Sequence, residues 1–504
     1  MKKLLILPLC TLTLLAGCNF LQKEPLTSIT PNNFFTNGDD AESSITAVYD
    51  ALQGGGAYGQ DLLTMGEMPS DNCTSVSSDV SVSPLENIAW TPSTTGVSNV
   101  FRQAYLIINR ANIVIKYVPT VAMDTARRSQ IQGEARFMRA LGYFNLVRAY
   151  GGVPLHLTPS ESASATELNL PRATSQQVYD QVVADLSRAA IQMAPPTTAN
   201  MNRASKSSAN ALLARVQLTQ RNWAAAQAAA DKVLASNITL GPFRSLYPAE
   251  SKGGESLFEV QFAGTPDGQN LLPDEILPFP FTTFSFSKFN LPTAELIAYA
   301  DTVNDLRWAY VGNITANISN QQTFVARNHV SYLDARKNQA VYDRNHPEND
   351  RGYFPYKWTS NGSTFNSVDN TYVLRYAEVL LNYAEASNEQ NGPTDAALNR
   401  LNQVRLRAGL AALSLGSPQA ATKQTLRNEI DRQRRLEMAF EGERWFDLLR
   451  YARHNQVETG AHAVTALDLI AQFRKGNRDV NYLLFPIPQT EINTNPQLQQ
   501  NPGY

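Results

Sequence analysis

The chain has 504 residues, with 43 Lys and Arg against 45 Asp and Glu and a formal net charge of −2. That balance leaves no basic footprint for a nucleic-acid ligand. The length suffices for one large core or for two or three ordinary ones.

Lys2 and Lys3 precede an apolar run, 4–15, that ends in Leu15-Ala16-Gly17-Cys18. The run is too short for a permanent membrane helix and reads as a secretory leader, 1–17. The small residues before Cys18 resemble a bacterial lipobox, in which the cysteine sulfur takes diacylglycerol and the new amino group is acylated. Each buried methylene of such chains contributes about 0.8 kcal/mol, so two or more chains anchor stably. Cys18 is therefore the expected lipidation site, and the polar segment 18–36 a lipidated tether. Cys10 leaves with the leader and Cys73 is left without an intrachain partner, so no disulfide framework is expected.

Beyond the tether, helical periodicity and stop signals predict a first helix over 39–52, closed by Gly54-Gly55-Gly56. Residues 57–98 carry no sustained period and read as a long loop, a length that is usually functional. Helices follow at 99–118, 124–150, 174–193, 205–220 and 223–236. The second of these places Phe137, Leu141 and Phe144 on one face and stops at Gly151-Gly152 and Pro154. In the last two, Trp223, Ala226, Ala230 and Val233 recur at helical spacing, and the small alanines permit close approach. Helix pairs of this size look like tetratricopeptide units, although the period is irregular. From 237 the period is lost. The stretch 257–370 reads as an irregular insertion with a strand near 257–262 and one helix at 293–300. Helices return at 371–390, 395–408 and 424–452. The predicted fold is mainly α, with about four tetratricopeptide-like helix pairs forming a superhelical scaffold, a loop-rich lobe and short β-strands.

No nucleophile elbow, phosphate loop, dinucleotide fingerprint or His-Glu-x-x-His is present. The five histidines, His156, His329, His346, His454 and His462, lack ligand spacing. The acidic stretch 343–350 offers calcium-type oxygen ligands, but Pro347 and the spacing do not fit an EF-hand, and a solvated loop is the simpler reading. A glycosidase needs only two carboxylates, so a hydrolase remains the rival class. Charges in 427–453 nearly balance. Asp431 with Arg435 and Glu441 with Arg444 stand at spacings that face each other on a helix. Arg375 and Glu378 sit on an otherwise apolar segment and are expected to be buried and paired.

Several blocks carry a family resemblance. They are Ala135-Arg136-Phe137-Met138-Arg139-Ala140 leading to Tyr150-Gly151-Gly152-Val153-Pro154; Leu374-Arg375-Tyr376-Ala377-Glu378; Asn402-Gln403-Val404-Arg405; Arg434-Arg435-Leu436-Glu437 with Phe440-Glu441-Gly442-Glu443-Arg444-Trp445-Phe446-Asp447; and the tail Phe485-Pro486-Ile487-Pro488 to Asn501-Pro502-Gly503-Tyr504. In this order the chain resembles the SusD/RagB family. The resemblance implies an N-terminal region over 37–256 and a C-terminal region over 257–504, in which helical repeats at 371–452 follow the insertion. It implies a non-enzymatic lipoprotein of the outer membrane, surface-exposed, that captures an oligosaccharide for a SusC-like TonB-dependent transporter, or a peptide as RagB-like members do. No cofactor is implied.

Members of that family bind ligand on loops of the non-repeat half. The corresponding residues here are Tyr58, Asp71, Asn72, Trp90, Asn99 and Arg102 from the first loop and Trp308, Tyr310 and Trp358 from the insertion, with Phe284, Phe286 and Tyr356 nearby. Aromatic faces would stack on sugar C–H groups, and amides, carboxylates and Arg would take the hydroxyls. On this reading Trp90→Ala weakens binding and barely changes stability. Trp223 and Trp445, within helical repeats, are assigned to packing.

Overall fold

The computed structural model describes residues 34–75, 77, 80–160, 164–197, 202–247, 254–277, 282, 288–314, 324–327, 330–333, 353–360, 365–453 and 465–504. Cys18, the leader, Phe284, Phe286, four of the histidines and the stretch 343–350 lie outside the described residues, as does the side chain of Tyr310.

The first helix, α1 (Gly38–Asp50), starts where Asn37 accepts the Asp39 and Asp40 N–H groups at 2.8 and 3.2 Å while the Asp40 carboxylate takes the Asn37 N–H. This is a reciprocal cap that satisfies otherwise orphaned donors. The predicted loop 57–98 is not uninterrupted. It contains α2 (Asp61–Glu67), a two-residue strand β1 (Cys73–Thr74) and a single turn at Ser83–Glu86. Then come α3 (Thr95–Tyr117), α4 (Thr125–Tyr150), α5 (Ser175–Gln192), α6 (Lys206–Thr219) and α7 (Trp223–Leu234).

The insertion supplies β2 (Ser256–Val260), β3 (Leu291–Pro292), α8 (Ala294–Tyr299) and the antiparallel meander β4 (Tyr310–Ile314), β5 (Phe324–Arg327), β6 (Val330–Leu333) and β7 (Tyr353–Pro355). β1 pairs with β3, Thr74 opposite Leu291. The remaining elements are β8 (Thr371–Arg375), α9 (Tyr376–Asn391), α10 (Asp395–Arg407), α11 (Lys423–Met438), α12 (Arg444–Arg453), α13 (Ala466–Phe473) and α14 (Gln489–Thr494). Among the described residues no helix is long and apolar enough to cross a membrane.

Each long helix packs on the next: α3 on α4, α4 on α5, α5 on α6, α6 on α7, α7 on α9, and α9 on α10 and α11. This is the expected stack of tetratricopeptide-like pairs. α4 is its axis, buried almost all round from Gln130 to Tyr150. Its polar residues survive burial because each is paired. Arg139 forks onto Asp185 at 2.8 and 2.7 Å. Glu134 takes Arg127 at 2.8 Å and Arg203 at 3.2 Å. Arg148 reaches Glu443 of the C-terminal region at 2.6 Å.

Two predicted helices are corrected. Over 371–390, the first five residues form β8, antiparallel to β2 with Glu259 opposite Tyr372 and Val260 opposite Thr371. Thr371, Tyr372 and Val373 favour a pleated, buried surface. The helix predicted over 424–452 breaks between Met438 and Arg444, where Phe440 and Gly442 adopt φ of +68° and +79°. The break lets α2 come in: a Cβ on Gly66 would stand 1.9 Å from the Gly442 carbonyl oxygen.

The expected pairs Asp431–Arg435 and Glu441–Arg444 give way to long-range ones. Arg444 binds Asp431 at 2.7 Å and Asp71 at 2.8 Å. Arg435 meets Asp71 at 3.3 Å, and Glu441 takes Arg375 and Lys357. The helix break turns Glu441 away from Arg444, and the buried carboxylates elsewhere compete for both arginines. Arg375 and Glu378 are buried and paired as expected. Arg375 sits among Glu255, Glu437 and Glu441, and Glu378 holds Arg215 at 2.5 Å.

Candidate functional site

Six of the nine ligand candidates are pins that hold the loops to the helices, and this corrects their assignment. Trp90 is 2% exposed. It meets Trp445 edge-on at 6.0 Å and Phe485 at 4.5 Å, and its Nε1 donates to the Tyr504 hydroxyl at 2.6 Å. Trp308 is fully buried and donates to the Leu436 carbonyl at 3.2 Å, and Trp358 is likewise buried. Tyr58 is buried, with its hydroxyl accepting from Asn145 at 3.3 Å.

Asp71 lies between Arg444 and Arg435. Burial pushes its carboxyl up, but the two guanidiniums outweigh that and hold it at about 2. Asn72 accepts from Arg435 Nε at 2.8 Å and donates to Glu67 at 2.8 Å. Glu67 also accepts the N–H groups of Phe440 and Gly442 at 2.9 and 3.1 Å, yet burial raises its carboxyl to about 7. A loop without periodic hydrogen bonds needs such anchors, because buried backbone cannot be left unsatisfied.

Asn99 and Arg102 stay at the surface. The Asp61 carboxyl, raised to about 6 by burial, accepts Asn99 Nδ2 at 2.9 Å, and Asn99 Oδ1 accepts Arg102 Nη2 at 2.8 Å. This relay aims Arg102 at the rim of a cleft of about 310 Å³. The cleft lies between α3, the chain after Pro154, and α14 with the residues that follow it. Phe101, Ile108, Pro154 and Leu498 form its apolar base, with the half-buried Tyr105 among them. Tyr105 is fixed by donating to the Pro154 carbonyl at 2.8 Å, and its ring meets His156 at 5.7 Å and 84°. Asn109, His156, Asn169, Glu491 and Asn495 supply polar groups. Burial lowers the His156 imidazole pKa, which keeps the ring neutral at pH 7. Burial raises the Glu491 carboxyl, against the pull of Arg102.

Sequence reasoning reached only Arg102 of this cleft. Its walls come from 101–109, 154–169 and 491–498, and no local pattern joins three such segments. A second cleft, about 340 Å³, opens beside α1 and β2, lined by Tyr49, Asp50, Gln53, Arg203, Glu259 and Asp267 among others. Among the described residues no group of three or more His, Cys, Asp or Glu side chains could hold a metal.

A model described as the SusD family matches residues 297–504. A second, described as starch-binding associating with outer membrane, matches residues 19–218. A SusD-like protein of Formosa agariphila is 28% identical over 525 aligned residues, spanning 100% of both chains. A SusD-like protein of Bacteroides ovatus is 23% identical over 90% of this chain and 83% of its own. Among solved structures, a laminarin-binding SusD-like protein matches with a TM-score of 0.75 and 25% identity, over 93% of this chain and 100% of its own. A SusD superfamily protein from Parabacteroides distasonis gives 0.73 and 25%, over 95% and 100%. With its helical stack, its insertion and its ordered sequence blocks matched from end to end, the chain belongs to the SusD/RagB family.

Proposed function

We propose that this protein captures an oligosaccharide outside the cytoplasm, without turnover, and delivers it to a TonB-dependent transporter of the outer membrane. The observation that carries the reading is the likeness, over nearly the whole chain, to a laminarin-binding SusD-like protein. It is joined by the family description of starch binding at the outer membrane. A cleft with an apolar, aromatic base and a few convergent amides and carboxyls suits a sugar, which offers C–H faces and hydroxyls together.

Lipidation at Cys18 would confine the protein to the membrane plane and raise its effective concentration near a barrel there. Asn99, Arg102 and Tyr310 remain the sequence-derived ligand contacts under this proposal. A glycan array run beside a peptide pool, each scored for retention and for product, tests it. Saturable glycan retention without product is expected; peptide retention alone, or glycan cleavage, refutes it. Crosslinked pull-down from native outer membranes checks delivery: recovery of a barrel protein near stoichiometry is expected, and recovery of the bait alone rejects it.

A further inference from the structure

We infer that the cleft between α3 and α14 is a saccharide-binding site for an uncharged sugar end, lined among the described residues from outside the insertion. The inference rests on the glycan-capture reading and adds the place and the ligand class. Among the described residues, every lining residue belongs to 101–169 or 491–498 and none to 257–370. The described lining therefore draws nothing from the insertion, and of the residues to which the family resemblance points it contains Arg102.

Three observations converge. The first is size: about 310 Å³ is far more than a structural water needs and sits at the small end of ligand pockets. That suits a chain end rather than a long polymer.

The second is the division of labour between fixed and free groups. Tyr105 is held by Pro154 and His156, and Asn495 by the Leu170 carbonyl at 2.8 Å and the Gln497 N–H at 3.0 Å. These are immobilised before any ligand arrives, which lowers the entropic cost of binding. By contrast, the imidazole of His156, the carboxamide of Asn169 and the carboxylate of Glu491 have no hydrogen-bond partner among the described residues. A sugar hydroxyl both donates and accepts, so a neutral imidazole, an amide and a carboxylate together match a set of hydroxyls.

The third is charge. Among the described lining residues there are one cation, Arg102, and one carboxylate, Glu491, close enough to influence each other. The two opposite charges balance within the described lining, which favours neither a uronate or sulfate nor an amino sugar over an uncharged sugar.

The test is calorimetry on the full mature chain with laminarihexaose and maltohexaose as neutral probes and trigalacturonate as the acidic one. Glu491→Gln keeps shape and removes the charge-assisted acceptor. Asn169→Ala and His156→Ala remove one free group each from half-exposed positions, and thermal melts confirm that each variant is folded. For a neutral probe bound by the parent chain, Glu491→Gln is expected to lower affinity by about tenfold, the worth of a hydrogen bond to a charged group, and Asn169→Ala and His156→Ala by about fivefold each, the worth of a neutral one. Trigalacturonate should bind more weakly than the neutral probes. Neutral binding that is unchanged in all three folded variants overturns the site and leaves glycan capture standing. Trigalacturonate binding that outcompetes the neutral probes and is lost in the variants overturns the ligand class alone. Failure of the parent chain to bind any glycan, here and on the array, overturns both.

Discussion

Replacing Asp71 with asparagine removes the negative charge from between two buried guanidiniums. The carboxylate takes Arg444 Nε at 2.8 Å and Nη2 at 3.0 Å, with Arg435 Nη1 at 3.3 Å. Truncating one partner of a buried ion pair costs about 3–5 kcal/mol, because the other charge stays desolvated. Asp431 still holds Arg444 at 2.7 Å, so the lower end, about 3 kcal/mol, is expected. Linkage gives an independent figure. The carboxyl falls from an ordinary 3.8 to about 2 on folding, and at about 1.4 kcal/mol per pH unit that is roughly 2.5 kcal/mol. Because the folded value is depressed, this stability is present above pH 3.8 and is lost as pH falls through about 2. Urea unfolding at pH 7 should show the loss in Asp71→Asn. A series from pH 6 to 2 should show the parent chain losing an acid-sensitive component that the variant lacks. A loss below about 1 kcal/mol would refute the clamp. A stable variant with impaired glycan binding would return Asp71 to the ligand site.

Trp90→Ala should cost about 3–5 kcal/mol, the usual range for deleting a buried aromatic, since it empties the space against Trp445 and Phe485. Unchanged melting with weakened glycan binding would contradict this and restore the stacking role. Gly66→Ala should destabilise by at least about 1–3 kcal/mol, because the new methyl meets the Gly442 carbonyl, which is backbone and cannot swing aside; a neutral urea midpoint would show that the α2 approach is looser than described. Glu67 works in the opposite direction from Asp71. Its folded value, about 7, lies above the ordinary 4.5, so its contribution is fully present below pH 4.5 and is lost as pH rises through 7. That amounts to about 3 kcal/mol. Urea midpoints at pH 5, 6, 7 and 8 should fall more steeply in the parent chain than in Glu67→Gln, and parallel profiles would dismiss the buried carboxyl as their cause.

The helical scaffold was legible because its signals are local. Apolar positions on α4 recur at helical spacing and stop at Gly151-Gly152, and α6 and α7 announce themselves through alanine spacing and Trp223. β8 was missed because five residues leading straight into a helix share its apolar character, and only the partner strand β2 distinguishes them. The break at Phe440 to Gly442 was missed because one glycine in a charged run looks tolerable until α2 is known to press against it. The loop aromatics were misread for a related reason. Trp90, Trp308 and Trp358 occupy segments without periodicity, and composition does not reveal whether such a side chain faces solvent or seals a loop onto distant helices. Their partners, Trp445 and Leu436 among them, lie many residues away.

Those distant partners bear on the order in which the molecule can form. Trp90, Asp71, Glu67 and Arg148 each find a counterpart between residues 440 and 485, so these anchors cannot close until the second half has been synthesised, whereas Arg139–Asp185 and Glu134–Arg127 close within the first half. Closing loops of that span is entropically expensive and slow. The loop that carries Glu67, Asp71 and Trp90 is therefore among the last parts of the molecule to be sealed, long after the helices beside it have been made.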